Sequence, residues 1–154
     1  MDPGGQQAIR TEQVKQTLSV LWIFVTLNYL YCDVVSLFDP GQLKQYIAGH
    51  LTGIGDISPG FLFATAILIE IPIAMVLLSR LLNYKANRWA NIVAGSVMTV
   101  VQFVTLFVGS GPTMYYTFFS IIEVACTLFI VWYAWRWQEV EVSLPAARSE
   151  AALH

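Results

Sequence analysis

The chain has 154 residues, of which 56% are apolar and only 12% charged, with a net charge of -2 and a mean hydropathy of +0.61. Soluble domains carry about twice that share of charged residues. The balance excludes a disordered chain, a nucleic-acid binder with a basic face and, with two cysteines, a disulfide scaffold.

Residues 1–17 are polar and read as a flexible cytoplasmic start. The first long apolar block is Leu18–Phe38, with Asp33 as its single charge. A membrane span needs about 20 mostly apolar residues. The block is longer than the core of a secretory signal and no small-residue cleavage pattern follows it, so it is expected to remain as a span. Asp39–Pro59 is then the one sizeable connection. Within Gln42–Leu51, Leu43, Ile47 and Leu51 repeat every fourth residue beside Tyr46, which predicts a short amphipathic helix on the outer surface or capping the bundle.

Ser58-Pro59 reads as a helix N-cap with proline at the first helical position. The second block, Gly60–Leu82, holds Glu70 and ends at Arg80. Pro72 inside it leaves the Leu68 carbonyl without its usual donor. The third block, Trp89–Gly109, has no charge. Ser110-Gly111-Pro112 is a tight turn, so the third and fourth helices are antiparallel neighbours. The fourth block, Thr113–Trp137, holds Glu123 and Arg136, and the tail from Gln138 is expected to be flexible. The domain layout is thus 1–17, a transmembrane domain at 18–137, and a tail at 138–154.

Four spans put both termini on one side. Arg10, Lys15, Arg80, Lys85, Arg88, Arg136 and Arg148 fall on that side and Lys44 alone on the other. The bias places both termini in the cytoplasm of a cell with the chain in its inner (plasma) membrane. Trp22, Trp89, Trp132, Trp135 and Trp137 all fall near the cytoplasmic interface and read as headgroup-level anchors. The expected architecture is all-α: a polytopic four-helix bundle, N-in and C-in, with a short amphipathic helix in the first outer loop.

Function is sought among polar groups inside the spans, because an ionisable residue in hydrocarbon is costly. Glu70, Glu123 and Asn28 lie about 15 Å below the outer ends of their spans, Gln102 about 10 Å and Asp33 about 7 Å, at 1.5 Å of rise per residue. These five are the ligand or proton candidates. Asn91, Gly95, Met98, Gln102, Thr105 and Gly109 form one stripe of the third span. Thr113, Thr117, Ser120, Glu123 and Thr127 form a stripe of the fourth, and both stripes belong at helix contacts. Asn28 and Asp33 differ by about 140° around their helix, so both cannot face the axis.

No His pair suits a haem, Cys32 and Cys126 form no C-x-x-C pair, and phosphate-loop and nucleophile motifs are absent, so no cofactor, metal or catalytic residue is assigned. A hard cation held by Asp33, Glu70 and Glu123 is weakly signalled because Asp33 is offset in depth. The leading expectation is a binding or proton-linked membrane module. The alternatives are a membrane enzyme using the same carboxyls as general acid and base on a lipid or isoprenoid, and a structural or accessory subunit. Expected partners are the lipid bilayer, a small apolar or protonatable ligand and a second copy of the chain in a homo-oligomer, with no nucleic acid.

The stretches LWIFVTLNYLYCDVVSLFDPG, SPGFLFATAILIEIPIAMVLLSRLLNYKANRWANIVAG and FFSIIEVACTLFIVWYAWRW resemble a family of small bacterial four-helix membrane proteins known only as a domain of unknown function. The most specific part runs from Glu70-Ile71-Pro72-Ile73-Ala74-Met75 through Asn87-Arg88-Trp89-Ala90-Asn91. The resemblance implies a four-helix fold in a bacterial inner membrane and brings no substrate, cofactor or catalytic residue. The plan is also similar to DoxX-like four-helix membrane proteins, a likeness of fold alone.

Overall fold

A computed structural model describes residues 3–107 and 113–137. Five helices follow in chain order: α1 (Pro3–Ser36), α2 (Pro40–Ala48), α3 (Pro59–Leu81), α4 (Tyr84–Thr105) and α5 (Met114–Arg136), with two-residue strands β1 (His50–Leu51) and β2 (Gly55–Asp56) between α2 and α3. Three of the helices, α1, α3 and α5, are long and apolar enough to cross a membrane. The all-helical expectation therefore holds, with the small hairpin as an addition. Residues 108–112 and 138–154, which include Gly109, the Ser110-Gly111-Pro112 turn and the tail, lie outside the described residues.

The four long helices contact one another in a ring: α1 packs on α3 and α5, and α4 packs on α3 and α5. The inward face of α1 is read from its spacing. Val14, Leu18, Trp22, Val25, Cys32 and Ser36 are all buried and follow steps of three, four or seven residues. That stripe begins at Val14, inside the segment expected to be flexible. The helix extends back to Pro3, because residues 6–17 contain no glycine or proline and Val14 and Leu18 give this part a core contact. Opposite faces carry exposed Val20, Ile23, Phe24 and Leu27 on α1 and Val93, Val97, Val100 and Phe103 on α4. Such faces suit lipid rather than water.

Helix ends follow local chemistry. Ser58 caps α3 as expected, its Oγ accepting from the Phe61 N–H at 3.2 Å with Pro59 at the first position. Asn83 caps α4 by accepting from the Ala86 N–H at 3.1 Å, so this helix begins five residues before the apolar block that signalled it. In the connection between α1 and α3 the helix starts at Pro40, two residues before the expected Gln42, because Asp39 accepts from the Gly41 N–H at 2.8 Å. It stops at Gly49, which takes the left-handed backbone (φ 69°) that glycine adopts without strain. Leu51, expected on the helix, lies in β1, where His50 Nδ1 and Asp56 Oδ1 stand 2.7 Å apart across the hairpin. No residue of α2 is buried, and Ile47 is 79% exposed.

Gly95 sets the closeness of α4 to α5. A methyl group built there would lie 2.7 Å from Val131 Cγ2 and 3.3 Å from the Thr127 carbonyl oxygen, so only glycine fits without a shift. The two helices are laced at the same level by the hydroxyls of Thr99 and Thr127, hydrogen-bonded at 2.8 Å.

Candidate proton or ligand site

Glu123 lies on the inward stripe of α5 with Ser120, Thr127, Ile130 and Ala134, positions set three, four or seven residues apart. Its relative exposure is 1%, yet neither carboxyl oxygen has a hydrogen-bond partner. Buried polar groups are almost always bonded, so a carboxyl with both oxygens free is a costly exception. The hydroxyl of Tyr29, projecting from α1, is also buried and unbonded. Tyr29, Cys32 and Tyr116 lie close enough to Glu123 to feel its charge.

The remaining candidates divide. Gln102 is buried and faces the same interior, where its Nε2 donates to Ser120 Oγ at 2.8 Å, one turn from Glu123. Asn28 is half-buried and donates to the Phe24 carbonyl of its own helix at 2.9 Å, so it holds no other helix. Asp33 is exposed beside the buried Cys32. Glu70 is exposed as well. The buried face of α3 is Pro72, Met75 and Ser79, and Glu70 lies about 170° around the helix from it at 100° per residue. Glu70 and Glu123 therefore do not face a common interior. Of the polar stripes read from sequence, Asn91, Gly95, Met98, Gln102, Ser120, Glu123 and Thr127 are buried, while Thr105, Thr113 and Thr117 are half-buried.

A second polar cluster, between α1, α3 and α4, was not read from sequence. Asn91 Oδ1 accepts from the Trp22 indole N–H at 2.7 Å and from the Ser79 hydroxyl at 3.2 Å. Asn91 Nδ2 donates to Asn87 Oδ1 at 2.7 Å, and Asn87 Nδ2 donates to the Ser79 carbonyl at 2.6 Å. Ser19 closes the same end by donating to the Val76 carbonyl at 2.8 Å. These bonds correct the reading of Trp22 as an interface anchor: it is fully buried and spends its N–H inside the protein. Trp137, at 6% exposure, is likewise packed, edge-on to Tyr84. Trp89, Trp132 and Trp135 are the exposed indoles that suit a headgroup level. The sequence signal for the cluster is the pair Asn87 and Asn91, one turn apart and in register with Gly95.

The two clusters differ in chemistry. Around Asn91 every donor meets an acceptor, so that cluster holds helices together. Around Glu123 acceptors lack donors. A buried carboxyl without donors can take up a proton or accept from a small donor or cation, and the unbonded Tyr29 phenol can donate. Among the described residues no group of three His, Cys, Asp or Glu side chains converges as a metal site would require.

Comparison with known proteins supplies the wider relation. A family model described as a family of unknown function (DUF6326) matches residues 9–144. The chain belongs to this family. The DUF6326 match takes in α1 from residue 9 and all of α3, α4 and α5, and with them both polar clusters. No curated protein and no solved structure matches the chain.

Proposed function

We propose that this DUF6326 member is a small four-span membrane module, with both termini cytoplasmic, that exchanges a proton at Glu123 against a small cation or hydrogen-bond donor. What carries the reading is the Glu123 carboxyl, 1% exposed with neither oxygen bonded. A polar group in the membrane interior marks a pathway or ligand site more readily than a fastening, because a fastening has its bonds made.

Counting α4 as a fourth span rests on the placement of its polar residues. Asn87, Asn91 and Gln102 lower its average apolarity, but all three are buried, while Val93, Val97, Val100, Phe103 and Val104 face outward. A helix with its polar stripe turned inward presents hydrocarbon to lipid. The lysine and arginine bias then favours cytoplasmic termini and an inner-membrane setting. The structural-subunit reading fits the Asn91 cluster, whose bonds are complete, and leaves Glu123 without an account.

The test is calorimetric titration of the lipid-embedded chain with methylammonium chloride, in two buffers of different ionisation enthalpy. Binding with a buffer-dependent heat, lost in Glu123→Gln, is the expected result. Absence of binding by the wild type, or equal binding and equal proton release by Glu123→Gln, removes the proposal.

A further inference from the structure

A cleft of ≈ 310 Å³ opens between the N-terminal part of α1 and the C-terminal end of α5, lined by Arg10, Gln13, Trp132, Arg136 and Trp137 among others. It lies far along both helices from Glu123 and belongs to neither polar cluster. Both arginines are exposed, and among the described residues neither is within ion-pair distance of a carboxylate. The acid nearest Arg10 in sequence, Glu12, is engaged by Lys15 at 3.5 Å, and the one nearest Arg136, Glu139, lies outside the described residues. The Arg136 guanidinium sits 5.4 Å over the Trp132 ring, a contact that leaves its N–H donors unused.

We propose that this cleft seats the phosphate of an anionic phospholipid. Two arginines from different helices line one cleft with Gln13 and offer forked donors to phosphate oxygens. A lipid fits better than free phosphate because an apolar seat continues from the cleft. Phe129 lies one turn further into α5, 44% exposed, with its ring centroid 5.5 Å from that of Trp132 and 5.8 Å from that of Tyr133. An acyl chain leaving the cleft runs onto this aromatic row. Exposed Trp132 and Trp135 mark the same end of α5 as headgroup level. The proposal depends on the membrane reading and not on Glu123.

Native mass spectrometry of the full chain with phosphatidylglycerol, phosphatidylcholine and inorganic phosphate tests it. The wild type is expected to hold one phosphatidylglycerol in preference to phosphatidylcholine. Arg10→Gln and Arg136→Gln should each weaken that binding about fivefold, the order expected for one basic residue at an anionic surface. Lys85→Gln, an exposed charge that does not line the cleft, should leave it unchanged. Equal affinity for the two lipids, equal affinity in the double arginine variant, or an equal loss in Lys85→Gln overturns the assignment. Displacement of the lipid by millimolar inorganic phosphate also overturns it, in favour of a soluble phosphate. Circular dichroism of each variant verifies that the helices are intact. If the double variant is misfolded, conservative Arg10→Lys and Arg136→Lys variants take its place and should retain part of the affinity; no loss relative to wild type and no preference for phosphatidylglycerol in them overturns the proposal equally.

Discussion

The indole N–H of Trp22 donates to Asn91 Oδ1 across 2.7 Å, joining α1 to α4, two helices that make little other contact. Both residues are fully buried. The bond crosses the middle of the helix ring, and through Ser79 and Asn87 it draws α3 into the same set.

Replacement of Asn91 by leucine keeps the branched shape and the number of heavy atoms and strands three partners: the Trp22 N–H, the Ser79 hydroxyl and Asn87 Oδ1. Leaving buried polar groups unpaired costs about 1–3 kcal/mol, and interhelical bonds in membranes fall at the low end, about 0.6 kcal/mol each. Asn91→Leu is expected to lose about 1–2 kcal/mol in denaturant unfolding of the reconstituted chain. Val97→Leu, on the exposed face, should lose next to nothing. Equal stability of the two variants contradicts the role given to Asn91.

Gly95 gives a second stability test. Gly95→Leu drives a branched side chain into Val131 and the Thr127 backbone and is expected to cost about 1–3 kcal/mol, as overpacking does. It should also separate α4 from α5, read as a longer distance between spin labels at exposed Phe103 and Phe118. An unchanged distance and unchanged stability speak against close packing at Gly95.

The tryptophans separate by location. In single-tryptophan variants, a quencher attached at the lipid headgroup should quench Trp89, Trp132 and Trp135 strongly and Trp22 hardly at all, since their exposures are 60%, 50%, 59% and 0%. Strong quenching of Trp22 contradicts its burial against Asn91.

The inward stripes of α4 and α5 are legible in the sequence because small and polar residues at three- and four-residue steps have no use for lipid. Asn91, Gly95, Met98, Gln102, Ser120, Glu123 and Thr127 follow that rule. Glu70 and Glu123 look equivalent in sequence, each a lone acid at the same depth. Their difference is rotational, and rotation is set by which face of a helix finds a partner. On α3 the face of Pro72, Met75 and Ser79 packs inward and turns Glu70 out. Ser79, nine residues from Glu70 and so half a turn out of phase with it, is the sequence signal for this. Trp22 misleads for a related reason: depth along a helix says interface, while its place on the Val14–Leu18–Trp22–Val25 stripe says interior. The extra turns of α1 before Leu18 escape hydropathy because most of their outward residues are polar, and Val14 reports the packing.

The central claim is that Glu123, and not Glu70, is the enclosed carboxyl that exchanges a proton. Infrared difference spectra of the lipid-embedded chain between acid and alkaline pH read the carboxyl C=O stretch directly. The expected result is a pH-dependent band, shifted slightly in deuterium oxide and exchanging slowly, that Glu123→Gln removes and Glu70→Gln leaves in place. A Glu123→Gln spectrum with that band intact, or loss of the band in Glu70→Gln alone, contradicts the claim.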